Sequence, residues 1–440
     1  MHRVIVAAGE PGGAENTLRC YSVDADGALM PLGPETPAGI QNMYCASHWS
    51  ARTRETYLYS VDINCAKDPV RGRDAEGLIK AWRVEDSGTL TLLSISQAGG
   101  VTPCHCWLSP APADNPTAPC VLLVANYGDE TSNSPGSVSS FLVAADGSLG
   151  AACQVFPISP TLMLASTADT EAAAAAAQVA SDSPVPSPAA RQTTPHPHMV
   201  TTNLSGELAY AVDLGANAVI GFTLTRFPTT ALRGAVSVCH LHPGAGPRHL
   251  VFHPSAPAAF TVNELDSTVS LLGYQGDASS GELVELSHVQ AVPANWHTRD
   301  NMNASCAIAI SPDGRHIYAS NRGHDSVACF AFAMGEKGDP SLQPISYSSS
   351  GGSLPWTLCS PHPADCLQVE GLVLVQNQGS MSSAGAGYTK PLQQPGNVTA
   401  FRREVDSGAL VETGATTSIE SAMFIAYLPT PRPLSAAAAL

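Results

Sequence analysis

The chain has 440 residues and a formal net charge of −16, which disfavours nucleic acid as a partner because a phosphate backbone calls for clustered cations. Hydrophobic residues make up 44% and charged residues only 13%, the balance of a well-buried β protein. No apolar run approaches the roughly 20 residues that span a bilayer, so a membrane partner is not expected either.

In chain order, residues 3–8 (RVIVAA) open directly into an apolar strand, without the apolar core and cleavage site of a signal peptide. LRCYSV and ALMPL supply two further strands, and this first sheet lacks an innermost one. From Tyr44 a degraded unit runs through TYLYSVDI to a strand over 78–84. The stretch 104–138 repeats the unit with a longer turn and the corner Ala125-Asn126-Tyr127. Residues 158–194 break the pattern. An alanine run followed by Ser/Pro-rich sequence cannot bury a core, and this insertion between repeats is expected to be disordered.

The unit returns at His198 to Val219, with Ser205-Gly206 as its turn. It is clearest over 244–269, GAGPRHLVFHPSAPAAFTVNELDSTV: a strand, a His-Pro-Ser turn, a second strand, a polar corner and a third strand. Antiparallel pairing puts the start of the first strand and the end of the second at one edge, so Arg248 and Glu264 face the same side. Further copies follow at 304–327 (ASCAIAISPDGRHIYASNRGHDSV) and, more loosely, at 355–398. Residues 422–428 (AMFIAYL) are an apolar strand left over, and 431–440 a frayed tail. The corners Asp213, Asn263, Asn321 and Asn377 are 50, 58 and 56 positions apart, a propeller-like period.

Period-2 alternation with Gly, Pro and Asp turns makes the chain all-β. Six complete units and one split unit predict a single domain over 1–430, a seven-bladed propeller in which 422–428 completes the N-terminal blade; six or eight blades are the alternatives. Closure removes the edges an open array would expose. The twelve cysteines contain no Cys-x-x-Cys pair. Cys104 and Cys106 in CHC lack a second ligand pair, so reduced thiols and a cytoplasmic location are expected. Oxygen-bearing corners such as Asn126, Asn263 and Glu264 could suit Ca²⁺. Two arginines at the same level would repel a dication, so the expected site holds no metal and no cofactor.

PHPHMV, VANYGD, VDLGANAV, GAGPRHLVFHP, VNELDSTVSL and ISPDGRHIYASNRGHDSVACF resemble the signatures of the seven-bladed lactonase family. That family includes propeller-type 6-phosphogluconolactonases and carboxymuconate cyclases, and the resemblance spans nearly the whole chain. Departures are the 158–194 insertion, the weak unit after Tyr44, and Trp356, which stands where arginine often follows proline.

The resemblance implies a metal-free site at one face, made from residues that open inner strands and close second ones: His198, Arg248, Glu264 and Arg322. Glu264 or His198 would move protons, and the two arginines would stabilise oxyanion charge and clamp an anionic group. His105 and His196 are candidate substrate contacts. The structural alternatives are an Arg248–Glu264 ion pair, a turn cap for Arg322 and a backbone bond for His198; His249, Asp266 and Asp325 are read as turn or inter-blade hydrogen-bonding groups. The expected function is hydrolysis of a sugar lactone such as 6-phosphogluconolactone, acting on a small anionic substrate. A muconate-type cycloisomerase and a non-catalytic propeller scaffold are the alternatives.

Overall fold

The computed structural model describes residues 2–9, 16–40, 43–63, 76–109, 120–129, 134–161, 191–226, 230–276, 280–294, 296, 303–336, 338–359, 371–379, 395–419 and 421–429. The body of the 158–194 insertion and the 431–440 tail lie outside them.

Among these residues the chain forms seven four-stranded antiparallel sheets. Six are consecutive: blade I (45–97), blade II (103–157), blade III (197–240), blade IV (247–290), blade V (304–349) and blade VI (355–418). Blade VII is split, its strand order running Ala422–Tyr427, His2–Ala8, Asn16–Val23, Leu29–Gly39. The last strand is thus the innermost one missing from the N-terminal sheet, with Val4 opposite Tyr427 and Val6 opposite Ile425.

Second strands such as Val121–Asn126 and Ala258–Asn263 are buried along their whole length. Each is covered on both faces, because a blade packs against a neighbour on either side, and so reads as a continuous apolar run rather than an alternating one. Seven apolar clusters result, one at each blade interface. Blade VII packs on blade VI through Val4, Tyr21, Leu372 and Leu374, and on blade I through Ile5, Leu18, Leu58 and Trp82. The ring is therefore closed by both hydrogen bonding and packing.

Near the ends of the second strands of blades II to VI stand Asn126, Asp213, Asn263, Asn321 and Asn377, all fully buried. The asparagine Nδ2 atoms donate inward: Asn263 to the hydroxyls of Thr268 and Ser270, Asn321 to the Ala291 carbonyl and Ser326 Oγ. The asparagine corners of blades II, IV, V and VI thus tie the second strand to the third. In blades III, IV and V the turn then passes through a left-handed residue four positions on, at Asn217, Ser267 and Asp325. Asp325 also accepts from the Leu354 N–H, which links blades V and VI as the sequence reading expected.

Candidate active site

Four inner strands open with the same irregularity. Pro103 lies opposite Asn126, Pro197 opposite Asp213, Pro247 opposite Asn263 and Pro355 opposite Asn377. In each case the next ladder pair skips a residue. Proline donates no backbone hydrogen bond and suits a strand's first position, and a bulge frees its extra residue and re-aims the side chain. The freed residues are Cys104, His198, Arg248 and Trp356.

Glu264 is the hub. It follows the strand Ala258–Asn263, and its backbone N–H donates to the Gly246 carbonyl at 2.8 Å. Gly246 has φ +62°, and a Cβ there would meet the Leu265 side chain at 2.4 Å, so this close approach requires glycine. The Glu264 carboxylate meets three guanidinium groups. Oε2 lies 2.9 Å from Arg248 Nε and 2.9 Å from Arg322 Nη2, and Oε1 accepts from Arg191 Nη1 at 2.5 Å. The Arg248 contact is an ion pair without hydrogen-bond alignment, since Nε has no such partner. Arg248 Nη1 instead donates across to the Cys306 carbonyl of blade V at 2.9 Å. Arg322, at the end of His316–Arg322, donates from Nε to the Ala304 carbonyl. The Trp356 ring covers both arginines, 4.4 Å from Arg322 and 5.6 Å from Arg248.

Burial alone would raise the Glu264 pKa, but Arg191, Arg322 and Arg248 together hold the carboxyl well below its ordinary range. Among the described residues, three guanidinium groups thus meet the one Glu264 carboxylate. Arg248 and Arg322 side chains are only 2% and 5% exposed, whereas Arg191 is 29% exposed and faces outward.

Three imidazoles lie beneath. His249 is 5.7 Å from His198 and 5.6 Å from His105, ring centre to ring centre. Burial first, and then Arg248, push His198 and His249 well below the ordinary histidine range and His105 down to about 3. All three are neutral at physiological pH. His249 Nε2 lies 3.1 Å from Arg248 Nη1. A guanidinium can only donate, so Nε2 accepts and the His249 proton sits on Nδ1. His198 is buried in a bulge beside Tyr127, and its Nδ1 has no hydrogen-bond partner. His105 stacks on Tyr44 at 3.9 Å, with neither ring nitrogen hydrogen-bonded.

His198, Arg248, Glu264, Arg322 and His105 are thus gathered at one place, linked through His249. His196 stands apart from them. Its Nδ1 donates to the Tyr127 carbonyl at 2.9 Å, its Nε2 contacts Thr194 Oγ1 at 3.0 Å, and its ring stacks on Tyr127 at 4.4 Å. Both nitrogens are engaged by protein groups, and the ring supports Tyr127. Cys104 and Cys106 donate to different carbonyls, of His198 and Tyr59, and burial raises both thiols, Cys104 to about 12.

Four members escaped the sequence reading. His249 was taken for a turn or inter-blade group, yet it sits at the centre of the cluster. Trp356 was visible only as a departure from the expected arginine. Tyr127 donates no obvious signal; its hydroxyl accepts from Arg191 Nη2 at 3.0 Å. Arg191 lies within 158–194, where it is the sole Lys or Arg, and that isolation was the available clue.

The family described as "Lactonase, 7-bladed beta-propeller" matches residues 36–369. The chain belongs to the seven-bladed β-propeller lactonase family. It is 27% identical to the 6-phosphogluconolactonase of Bacillus subtilis (strain 168) over 421 residues, 95% of each chain. It is 25% identical to the 6-phosphogluconolactonase of Formosa agariphila over 359 residues, 80% of each chain. The fold is shared with the periplasmic gluconolactonase of Pseudomonas aeruginosa, at TM-score 0.69 and 23% identity, covering 98% of this chain and 99% of that one. No helix of the described residues is long and apolar enough to cross a membrane.

Proposed function

We propose that this propeller lactonase hydrolyses a sugar lactone carrying an anionic group, with 6-phosphogluconolactone as the reference substrate. The supporting observation is the cluster of three guanidinium groups around Glu264, beside a neutral histidine whose Nδ1 has no hydrogen-bond partner. Guanidinium forks match phosphate or carboxylate oxygens, so such a cluster suits an anionic group. The 6-phosphogluconolactonases among its relatives favour the phosphorylated sugar.

In this reading Arg191, the most exposed of the three, meets the anionic group first. Arg248 and Arg322 face the lactone carbonyl and stabilise the oxyanion as water adds. His198 takes the attacking water's proton and returns it to the ring oxygen as the ester bond breaks. Glu264, with both oxygens engaged and its pKa depressed, is a poor base. Its work is to fix and charge-balance the guanidinium groups. Binding of an anion offsets the repulsion from Arg248 and Arg191 that depresses His198, so substrate raises the basicity of the imidazole.

The test is a panel of phosphorylated and free sugar lactones alongside carboxymuconates, each assayed by product formation. Preference for the phosphorylated lactone is the expected result. Turnover of the carboxymuconate alone would assign a cycloisomerase, and no turnover of any would favour a binding scaffold.

A further inference from the structure

A second cluster of ligating side chains lies on the same blade, away from the central pocket. His242 follows the outer strand Ala231–His240 of blade III, in the connection that leads to Pro247 and Arg248. Glu285 and His288 belong to the outer strand Leu283–Gln290 of blade IV. Residues three apart on a regular strand point to opposite faces. Here the ladder pairs Leu271 with Ser287 and Leu272 with Glu285, so Leu286 is an extra residue. That bulge turns Glu285 and His288 to one side.

Glu285 Oε1 stands 2.7 Å from His242 Nδ1 and 3.6 Å from His288 Nδ1, and the two imidazoles stack 3.7 Å apart. The ligand atoms all lie within 4.8 Å of one another. The remaining contacts hold these groups from behind. Glu285 Oε2 accepts from the His242 backbone N–H at 2.7 Å, Oε1 accepts from Ser270 Oγ, and His242 Nε2 lies 2.6 Å from Asp266 Oδ2. An imidazole with one nitrogen toward a ligand position and the other on a carboxylate is the usual support for a metal-bound histidine. Two imidazoles and one carboxylate suit zinc, cobalt or nickel, whereas magnesium and calcium prefer oxygen alone.

We propose that His242, His288 and Glu285 form a binding site for a divalent transition-metal ion, with Asp266 orienting His242. On binding, the hydrogen shared between His242 Nδ1 and Glu285 leaves to solvent and the ion takes its place. The ion would then join three segments: the connection leading to Arg248, the outer strand of blade IV, and the turn that carries Glu264 and Asp266. The inference does not depend on the lactonase reading.

Calorimetric titration of the chelator-treated full chain with zinc chloride tests it. Saturable binding of one equivalent in the micromolar range or tighter is expected, with a rise in melting temperature. His288 is half-exposed, so His288→Ala should fold and melt as the parent does without metal, yet bind zinc at least about tenfold more weakly. Glu285→Gln should show the same loss. No stoichiometric binding by the parent, or parental affinity in His288→Ala, would overturn the assignment.

Discussion

Glu264 and Asp266 stand two residues apart on the turn between the second and third strands of blade IV, in opposite electrostatic settings. Glu264 is a buried carboxylate that meets three guanidinium groups, with its neighbouring imidazoles stripped of charge by burial and by Arg248. Asp266 is 27% exposed and, with Glu285, surrounds His242, whose pKa those two carboxylates lift to about 9 against the opposing effect of burial. One turn sends an anion inward to a cationic pocket and another outward to a cationic imidazole. The central region gathers guanidinium groups and is suited to an anion; the outer one gathers carboxylates and is suited to a cation.

Removing the inner anion should have the largest effect. Glu264→Gln removes the carboxylate that three guanidinium groups share, at a place where Arg248 is 2% exposed, and breaking a buried pair this way costs about 3–5 kcal/mol. Chemical denaturation should read that loss, and activity should fall with it. A variant with parental stability would show that the cluster is not held by Glu264.

His198→Asn should leave the melting temperature nearly unchanged while turnover falls by about 10²–10⁴, the usual contribution of general acid–base catalysis. Near-parental turnover on the preferred substrate would move the proton-transfer role elsewhere. Arg322→Lys retains the charge, but the point-like ammonium loses the fork and the flat stacking on Trp356. A fall of about tenfold in kcat with KM largely kept is expected from a cation–π and hydrogen-bond loss of about 1–2 kcal/mol at the oxyanion. A rise in KM with kcat unchanged would instead place Arg322 at the anionic group.

The smallest effect distinguishes the two regions by sign. His105, His198 and His249 bind fewer protons folded than unfolded, so the stability they permit is present above pH 6.5 and is lost as pH falls below it. His242 binds more protons folded. Its contribution is complete below pH 6.5 and disappears as pH rises through about 9. His242→Gln in metal-free buffer should therefore lower the melting temperature at pH 6 and leave it unchanged near pH 10. Equal losses at both values would mean that packing, not charge, explains the residue's contribution.

Much of the fold was legible because propeller repeats carry local signals. Asn and Asp corners at a regular period, Pro and Gly turns, and apolar runs such as Val121–Asn126 each follow from hydrogen-bonding and burial demands within one sheet. The unpaired strand Ala422–Tyr427 even disclosed how the ring closes. Arg248, Glu264 and Arg322 were legible for the same reason, since each occupies a fixed place in its own unit. What the sequence could not supply was any relation between units. Arg191 reaches Glu264 across 73 positions, and Trp356 reaches Arg322 from the next blade. His249 moves from a local hydrogen-bonding role to the centre only because a bulge after Pro247 frees Arg248 and shifts the ladder pairing onto it. His196 moves the other way, since its ring nitrogens meet Tyr127 and Thr194 once blade III packs on blade II. Strand identity and turn position are set by neighbours along the chain. The protonation state and task of a side chain are set by which charges and rings the closed ring brings against it.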